Sequence, residues 1–135
     1  MARLTLELEE VIRILVAHDL LPGEVVNPTA KGDKIHFMIK VDSFMVPRIP
    51  ASLEYVRLEG NDMIFHLTVI SSRFNSVLGR LKRAFHLHVP EWIRLDLPKV
   101  LVDTEKLLME KNIQGVTVEE VTVKDGELTV ITSSA

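Results

Sequence analysis

Residues 116–130 read VTVEEVTVKDGELTV. Hydrophobic and polar residues alternate on both sides of Asp125-Gly126, a dipeptide that favours the tight turn between two antiparallel strands. The valines occupy even positions up to Val118 and odd positions from Val121 onward, so the buried face must change parity between them. The segment therefore predicts a β-hairpin whose first strand has a bulge or sharp bend at Glu119-Glu120, a feature that curves a sheet.

Alternation with a period of two also runs through residues 24–70 and 93–97, which predicts a series of half-buried strands there. Turn residues at 31–34 and 59–62 divide the longer region, and the second of these turns marks a clear hairpin. Residues 46–50, VPRIP, contain two prolines and predict a loop or an edge strand, because proline has no N–H group to donate within a central strand.

Helical spacing of apolar residues predicts an N-terminal helix over residues 7–19, with Thr5 as a candidate N-cap. The leucines at positions 4, 6 and 8 alternate, which leaves a short strand before the helix as an open alternative. Only Arg13 interrupts the apolar run 11–16, so we expect this helix to contact apolar partners around most of its circumference.

A second helix is predicted from Asp103, as its N-cap, to about Lys111, with Asn112 as a left-handed stop. Residues 73–85 also show helical spacing, but Gly79 lowers their helix propensity and leaves a strand followed by a loop as the alternative. Together these elements predict one α+β domain over the whole chain of 135 residues. We expect a curved, predominantly antiparallel sheet wrapped around the N-terminal helix, with one or two further short helices.

The composition excludes several classes of chemistry. Of the 135 residues, 47% are hydrophobic and 26% charged, and none is cysteine, so disulfide frameworks, thiolate metal sites and cysteine nucleophiles are ruled out. The sequence also lacks a Gly-x-Ser-x-Gly elbow, a glycine-rich phosphate loop and a dinucleotide-binding fingerprint. We therefore expect a protein without enzymatic activity, catalytic residues or a cofactor.

The spacing His86-x-His88 could hold a zinc or nickel ion, because two histidines two positions apart on a strand share a face. Such a site would need a third ligand, for which His36, His66 and Glu91 are the candidates, and no motif brings any of them close. We therefore predict ordinary histidines and no metal site.

The net charge of −3 conceals a strong asymmetry, because residues 73–102 carry +4 and residues 103–135 carry −4. The basic segment interleaves cations with apolar side chains, a pattern typical of segments that lie at an anionic membrane surface. The residues expected to contact that surface are Arg73, Arg80, Lys82 and Arg83. As alternatives, the apolar side of the segment packs on the core, or the cations bind nucleic acid, which the absence of an aromatic stacking platform disfavours.

The distribution of charged and apolar residues predicts where in the cell the protein is located. The first ten residues carry three acids, where a signal peptide needs an uninterrupted apolar run. No later segment approaches 18 uncharged apolar residues, the length that a membrane-spanning helix needs. These features predict a cytoplasmic protein, or one that is peripheral to a membrane.

Two segments and the order of the elements carry a resemblance to a known family. Residues 6–15 read LELEEVIRIL and residues 115–130 read GVTVEEVTVKDGELTV. With the N-terminal helix, the run of strands, the second helix and the closing hairpin, they resemble small bacterial members of the tubular lipid-binding superfamily. The resemblance implies a strongly curved antiparallel sheet around helices, with a groove for acyl chains and no catalytic residues. Those relatives are typically exported or lipid-anchored, and this sequence shows neither a signal-peptide pattern nor a cysteine to lipidate.

The leading hypothesis is a non-enzymatic binding protein for a lipid or another apolar ligand. A helix that is apolar on most sides has to be enclosed, and a bent sheet of alternating strands can enclose it. The residues expected to line the groove are Ile12, Leu15, Val16, Phe37, Ile39, Phe65, Leu67, Leu107 and Leu108. One alternative is a close-packed core without a pocket. The other is a structural or interaction module without a small ligand, most simply a homodimer formed through a strand edge or an apolar helix face.

Overall fold

The computed structural model describes residues 2–17, 21, 25–40, 48–69, 91–96 and 98–134. Within these residues, the strands and helices in chain order are β1 (Ala2–Glu7), α1 (Leu8–Ala17), β2 (Val25–Lys31), β3 (Lys34–Lys40), β4 (Arg48–Glu59), β5 (Asp62–Val69), β6 (Ile93–Asp96), β7 (Lys99–Asp103), α2 (Thr104–Glu110), β8 (Val116–Lys124) and β9 (Glu127–Ser134). All their strand pairs are antiparallel, which confirms the α+β class and the predominantly antiparallel pairing.

The described strands divide between two sheets. The larger sheet has six strands in the order β2-β3-β4-β5-β7-β6, and the smaller sheet has three in the order β1-β9-β8. The smaller sheet joins opposite ends of the sequence, since Thr5 on β1 and Thr129 on β9 are 124 positions apart. The prediction of one curved sheet is wrong in this respect, because the alternation within a strand does not specify which distant strand it pairs with.

The N-terminal segment forms both elements that its sequence allowed. β1 pairs with β9, and α1 begins directly after it at Leu8, so the alternative of a short strand before the helix is confirmed. The predicted cap at Thr5 is wrong, because Thr5 lies inside β1 with its hydroxyl 3.2 Å from that of Thr129. Instead, the N–H of Glu7 donates to the carboxylate of Glu10 at 3.4 Å, which forms one half of a capping box.

Helix α1 packs against β2 and β1, which are edge strands of the two sheets. Its buried residues are Leu8 and Ile12, whereas Ile14 and Val16 are 45% and 57% exposed. The expectation that apolar partners surround most of this helix is therefore wrong. One side of α1 packs on the sheets, and apolar side chains on the rest of its surface remain exposed.

The C-terminal hairpin has the predicted turn and the predicted irregularity. Asp125 and Gly126 have φ values of 54° and 77°, and these positive values are the ones that a type I′ turn requires. The pairing register between β8 and β9 shifts between Val118 and Glu120, which confirms the bulge. Both features follow from local sequence, because a turn dipeptide and a parity change act over a few residues.

Helix α2 also begins and ends close to the predicted residues. The carboxylate of Asp103 accepts a hydrogen bond from the N–H of Lys106 at 3.0 Å, so Asp103 is the N-cap. Asn112 follows the helix with a φ of 59°, in the left-handed region that ends a helix. The second predicted helix is therefore confirmed.

The proline-rich segment 46–50 is partly a strand. β4 begins at Arg48, and Pro50 lies opposite Met38 of β3. The partners of β4 on β5 begin only at Ala51, so within the described residues Pro50 has a strand neighbour on one side. The missing N–H of a proline is tolerated at such a position.

Strand β7 was not expected, because its residues do not alternate. Val100, Leu101 and Val102 form a continuous apolar run, and all of them are half-buried. β7 lies between β5 and β6, where both faces of the strand are partly covered. Strands covered on both faces lack the period of two on which the sequence analysis relied.

A cluster of buried residues lies in the middle of the larger sheet, on β3, β4 and β5. Its members are Ile39, Ile49, Ala51, Leu67 and Val69, with Phe37 and Leu53 packed against them. A hydrogen bond connects this sheet to the smaller one, since the hydroxyl of Tyr55 on β4 donates to the carbonyl oxygen of Val121 on β8 at 3.0 Å.

Candidate functional site

The two faces of the larger sheet differ in their proportions of apolar and charged side chains. Residues that lie directly opposite each other on paired strands point to the same face of a sheet. The pairing places Leu53 between Ile35 and Leu67, and in another row it places Phe65 between Tyr55 and Val100. The apolar face, as we define it, consists of Ile35, Phe37, Ile39, Ile49, Ala51, Leu53, Tyr55, Phe65, Leu67, Val69, Leu95 and Val100.

Burial across the apolar face is uneven. Ile39 and Leu67 are each 2% exposed, whereas Phe37, Leu53 and Phe65 are only half-buried. The ring of Phe65 meets the ring of Tyr55 edge to face, with 5.5 Å between the ring centroids. The aromatic side chains therefore hold apolar surface that the rest of the described chain covers only in part.

The predicted ligand-binding residues fall into three places. Phe37, Ile39, Phe65 and Leu67 lie together on the apolar face. The three on α1 differ in burial: Ile12 is buried, Leu15 is half-buried and Val16 is exposed. The two on α2, a helix that contacts β8 and β7, are the half-buried Leu107 and Leu108.

The opposite face of the larger sheet carries more cations than anions, an asymmetry that the sequence alone did not predict. One row across the strands runs Lys34, Glu54, His66 and Lys99, and Lys40 faces Arg48 in another. The basic face, as we define it, carries the charged residues Lys31, Lys34, Lys40, Arg48, Glu54, Arg57, Glu59, Asp62, Arg94, Asp96, Lys99 and Asp103, together with His36 and His66. With neutral histidines, this face has a net charge of +2 in a chain whose total is −3.

Among the described residues, only some of the charges on the basic face form ion pairs. Lys34 and Glu54 form an ion pair of 3.3 Å with both side chains about half exposed. Lys40 and Arg48 lie directly opposite each other although like charges at such positions repel. The alternation in each strand shows which of its residues are polar. The register between strands is needed to show that these polar residues lie together on one face.

The other predicted surface and metal residues lie mainly outside the described ranges. Those outside are Arg73, Arg80, Lys82, Arg83, His86 and His88. Within the described ranges, β4 separates His36 on β3 from His66 on β5, and Glu91 is exposed. No group of three histidine, aspartate or glutamate side chains there is arranged to hold a metal ion.

A cavity of about 280 Å³ lies where the turn between β8 and β9 approaches the turn between β2 and β3. Its lining residues are Glu7, Glu9, Ala30, Gly32, Asp125, Gly126 and Glu127. The N–H of Gly126 donates to the carboxylate of Asp33 at 2.7 Å and so joins the two turns. This cavity is acidic, and it therefore differs from the apolar groove expected between α1 and the sheet.

Tyr55 is the only tyrosine of the chain. Burial raises the pKa of its hydroxyl above the ordinary value of 10.0, and the negative charge of Glu120 raises this pKa further. The hydroxyl also donates to the carbonyl oxygen of Val121. Tyr55 is therefore a neutral hydrogen-bond donor at neutral pH, and its role in the described structure is to connect the sheets.

Among the described helices, none is long and apolar enough to cross a bilayer. Comparison of the sequence with protein-family models and with curated proteins finds no match, and comparison with solved structures finds none either.

Proposed function

We propose that this protein is a non-enzymatic binding protein that takes the acyl chain of a lipid, or another apolar ligand, on its apolar face. The observation that carries the proposal is the separation of chemistry across the larger sheet, where the apolar face and the basic face lie back to back. A membrane of anionic lipids offers both matching chemistries, because its acyl chains are apolar and its headgroups are negatively charged.

The half-buried side chains of the apolar face support the ligand site. Phe37, Leu53 and Phe65 adjoin fully buried neighbours and still retain contact with solvent. A ligand laid along them would remove this surface from water, which contributes roughly 25 cal/mol per Å² of apolar area. In that complex the sheet would curve around the ligand, which is the architecture that the family resemblance implies.

A titration with a fluorescent fatty acid, preceded by native mass spectrometry of the purified protein, tests the apolar site. We expect a co-purified ligand mass, or probe binding that unlabelled fatty acid displaces. Phe37→Ala should weaken probe binding by about tenfold or more, because it removes a large part of the contact surface. Val56→Ala is the matched control, since Val56 lies on the same sheet, is 46% exposed and is not part of the apolar face.

The alternative outcome identifies a closed core. If the folded protein has the mass of the chain alone and binds no probe, the apolar face is only the packed interior of the protein. The fluorescence of Trp92, the single tryptophan, reports whether each variant is folded, because this side chain is buried.

Contact with an anionic membrane surface belongs to the same proposal and would make the protein peripheral to a membrane. The exposed cations of the basic face support it, and the sequence adds Arg73, Arg80, Lys82 and Arg83. Each basic residue near such a surface contributes about 1 kcal/mol, and salt screens the attraction.

Co-sedimentation with phosphatidylserine vesicles at low salt tests this contact. Lys40→Glu with Arg48→Glu should reduce binding strongly, and Arg80→Glu with Arg83→Glu tests the basic segment separately. Lys106→Glu with Lys111→Glu makes the same change in charge at exposed positions outside the basic face and should have little effect. The proposal fails if the unaltered protein does not sediment with anionic vesicles, or if all three pairs act alike.

The second candidate function is a structural or interaction module that acts as a homo-oligomer without a small ligand. The observation that favours it is strand β1, which lies at the edge of the smaller sheet and carries Leu4 at 56% exposed. Sedimentation velocity over a range of protein concentrations tests this candidate. A monomer at all concentrations would exclude it.

A further inference from the structure

In the part of the chain that the structure describes, strand β1 is paired along one of its edges only. The smaller sheet has the order β1-β9-β8, and within the described residues no strand pairs with the outer side of β1. Natural edge strands are usually protected by charged side chains, especially lysine, by proline or by a bulge. β1, with the sequence ARLTLE, carries charges at Arg3 and Glu7 but no lysine or proline, and its register with β9 is regular from Ala2 to Glu7.

The apolar side of the smaller sheet continues up to that edge. One row of directly paired residues runs Val121, Val130 and Leu4, and the next runs Val123, Leu128 and Leu6. Exposure rises along the first row from 6% at Val121 to 56% at Leu4. The apolar side of the sheet thus ends at a strand whose backbone and leucine side chain are both accessible.

The sequence of β1 is complementary to itself when a second copy is reversed about Thr5. Arg3 then lies opposite Glu7 of the second copy, and Leu4 lies opposite Leu6 of the second copy. Cross-strand pairs of opposite charge and of apolar residues both stabilise an antiparallel ladder. An antiparallel register centred on Leu4 or on Leu6 would also keep the leucines on one face. It would not place arginine opposite glutamate.

We propose that two copies of this chain associate through β1, in an antiparallel register centred on Thr5. This inference rests on the second candidate function, the homo-oligomer, and names its interface. Pairing joins the two smaller sheets into one sheet of six strands in which β1 is no longer an edge. Because the register is symmetric, the pair of Arg3 with Glu7 occurs twice in the dimer, and so does the pair of Leu4 with Leu6.

Charge reversal with rescue tests the register. Arg3→Glu or Glu7→Arg alone places like charges opposite each other at two symmetric positions, so each should raise the dimer dissociation constant by about tenfold or more. The double variant restores both pairs in reversed order and should bring the constant back to within about threefold of the unaltered protein. Glu9→Arg makes the same change in charge on α1 and is the matched control.

Leu4→Lys provides an independent measurement at the same edge. Since Leu4 is mostly exposed in the single chain, the substitution should abolish the dimer and leave the folded monomer intact, as judged by Trp92 fluorescence. A dimer that resists Leu4→Lys, or single variants that the double variant does not rescue, would overturn the β1 interface while leaving the homo-oligomer in place. A protein that is monomeric at every concentration would overturn both. Binding of fatty acid should be unchanged in these variants, because the apolar face lies on the other sheet.

Discussion

The two sheets bury their apolar faces to very different extents. In the larger sheet, Ile39 and Leu67 are each 2% exposed and belong to one cluster that spans β3, β4 and β5. In the smaller sheet, exposure increases from Val121 on β8 to Leu4 on β1 within a single row. In the larger sheet, β4 and β5 have the most buried residues and have partners on both sides, whereas in the smaller sheet the buried Val121 lies on one edge strand and the exposed Leu4 on the other.

This difference separates two roles that apolar residues take in one chain. Where side chains interlock across three neighbouring strands, their burial stabilises the fold of the single chain. Where the apolar side of a sheet reaches an open edge, the same residue types stabilise the single chain less and remain available to a partner. The comparison predicts that equivalent substitutions in the two sheets will differ in cost.

The largest effect is expected for Leu67→Ala. Removing a leucine side chain from a packed cluster loses its burial and leaves a cavity, which lowers the free energy of unfolding by about 2 to 5 kcal/mol. Leu4→Ala should change this free energy by less than about 0.5 kcal/mol, because surface substitutions away from special contacts are nearly neutral. Denaturant titration followed by Trp92 fluorescence measures both, under conditions in which the protein is monomeric.

Equal costs at these two positions would contradict the comparison. A large loss for Leu4→Ala in the monomer would mean that β1 is packed within the single chain and is not an open edge. That outcome would also remove the basis of the proposed β1 interface.

Val121→Ala tests the smaller sheet at the buried residue of β8. Val121 is 6% exposed and its carbonyl oxygen accepts the hydrogen bond from Tyr55. We expect a loss of about 1.5 to 3 kcal/mol in the free energy of unfolding, the range for burying such a side chain. The matched control is Val116→Ala on the same strand, where 36% of the residue is exposed and the loss should be smaller. Equal losses would mean that burial does not vary along β8 as described.

A smaller effect is expected for Asp103→Ala. Asp103 caps α2, the helix that contacts β7 of the larger sheet and β8 of the smaller one. Loss of an N-cap typically costs about 1 kcal/mol of unfolding free energy, because a backbone N–H loses its partner. Asp103→Asn keeps an acceptor at this position and should retain most of the stability, whereas equal loss in both variants would point to a role other than capping.

Local and distant interactions explain which parts of this structure could be predicted. The turn at Asp125-Gly126, the cap at Asp103 and the bulge before Val121 depend on neighbouring residues, and the sequence predicted each of them. The pairing of β1 with β9 and the division into two sheets depend on contacts across most of the chain. Alternation identifies the two faces of a strand, but it does not identify the partner strand.

Because the partner strand cannot be read from alternation, the sequence predicted only part of the candidate sites. Phe37, Ile39, Phe65 and Leu67 were predicted to act together because each lies on the apolar side of a strand, and the register aligns them on one face. The basic face was missed although every cation in it is visible in the sequence. Like charges such as Lys40 and Arg48 become neighbours only through the pairing of β3 with β4.

The smallest effect concerns pH and the hydrogen bond that joins the two sheets. Since burial and Glu120 raise the pKa of Tyr55 above 10.0 in the folded protein, this pKa is higher than in the unfolded chain. The contribution of Tyr55 to stability is therefore complete below pH 10.0, and it is lost as the pH rises through the folded pKa, because the unfolded state ionises first. The absorbance of the phenolate reports this group alone, as the chain has one tyrosine.

Tyr55→Phe isolates the contribution of the hydroxyl. At neutral pH the substitution removes the bond to Val121 and should lower the free energy of unfolding by about 1 kcal/mol. Above pH 10.0 the difference between the two proteins should shrink, because only the protein with tyrosine loses stability by ionisation. Glu120→Gln should lower the phenolate midpoint only slightly, since burial is the larger cause of the shift. A midpoint at or below 10.0 in the folded protein would mean that the hydroxyl is open to solvent and does not connect β4 to β8.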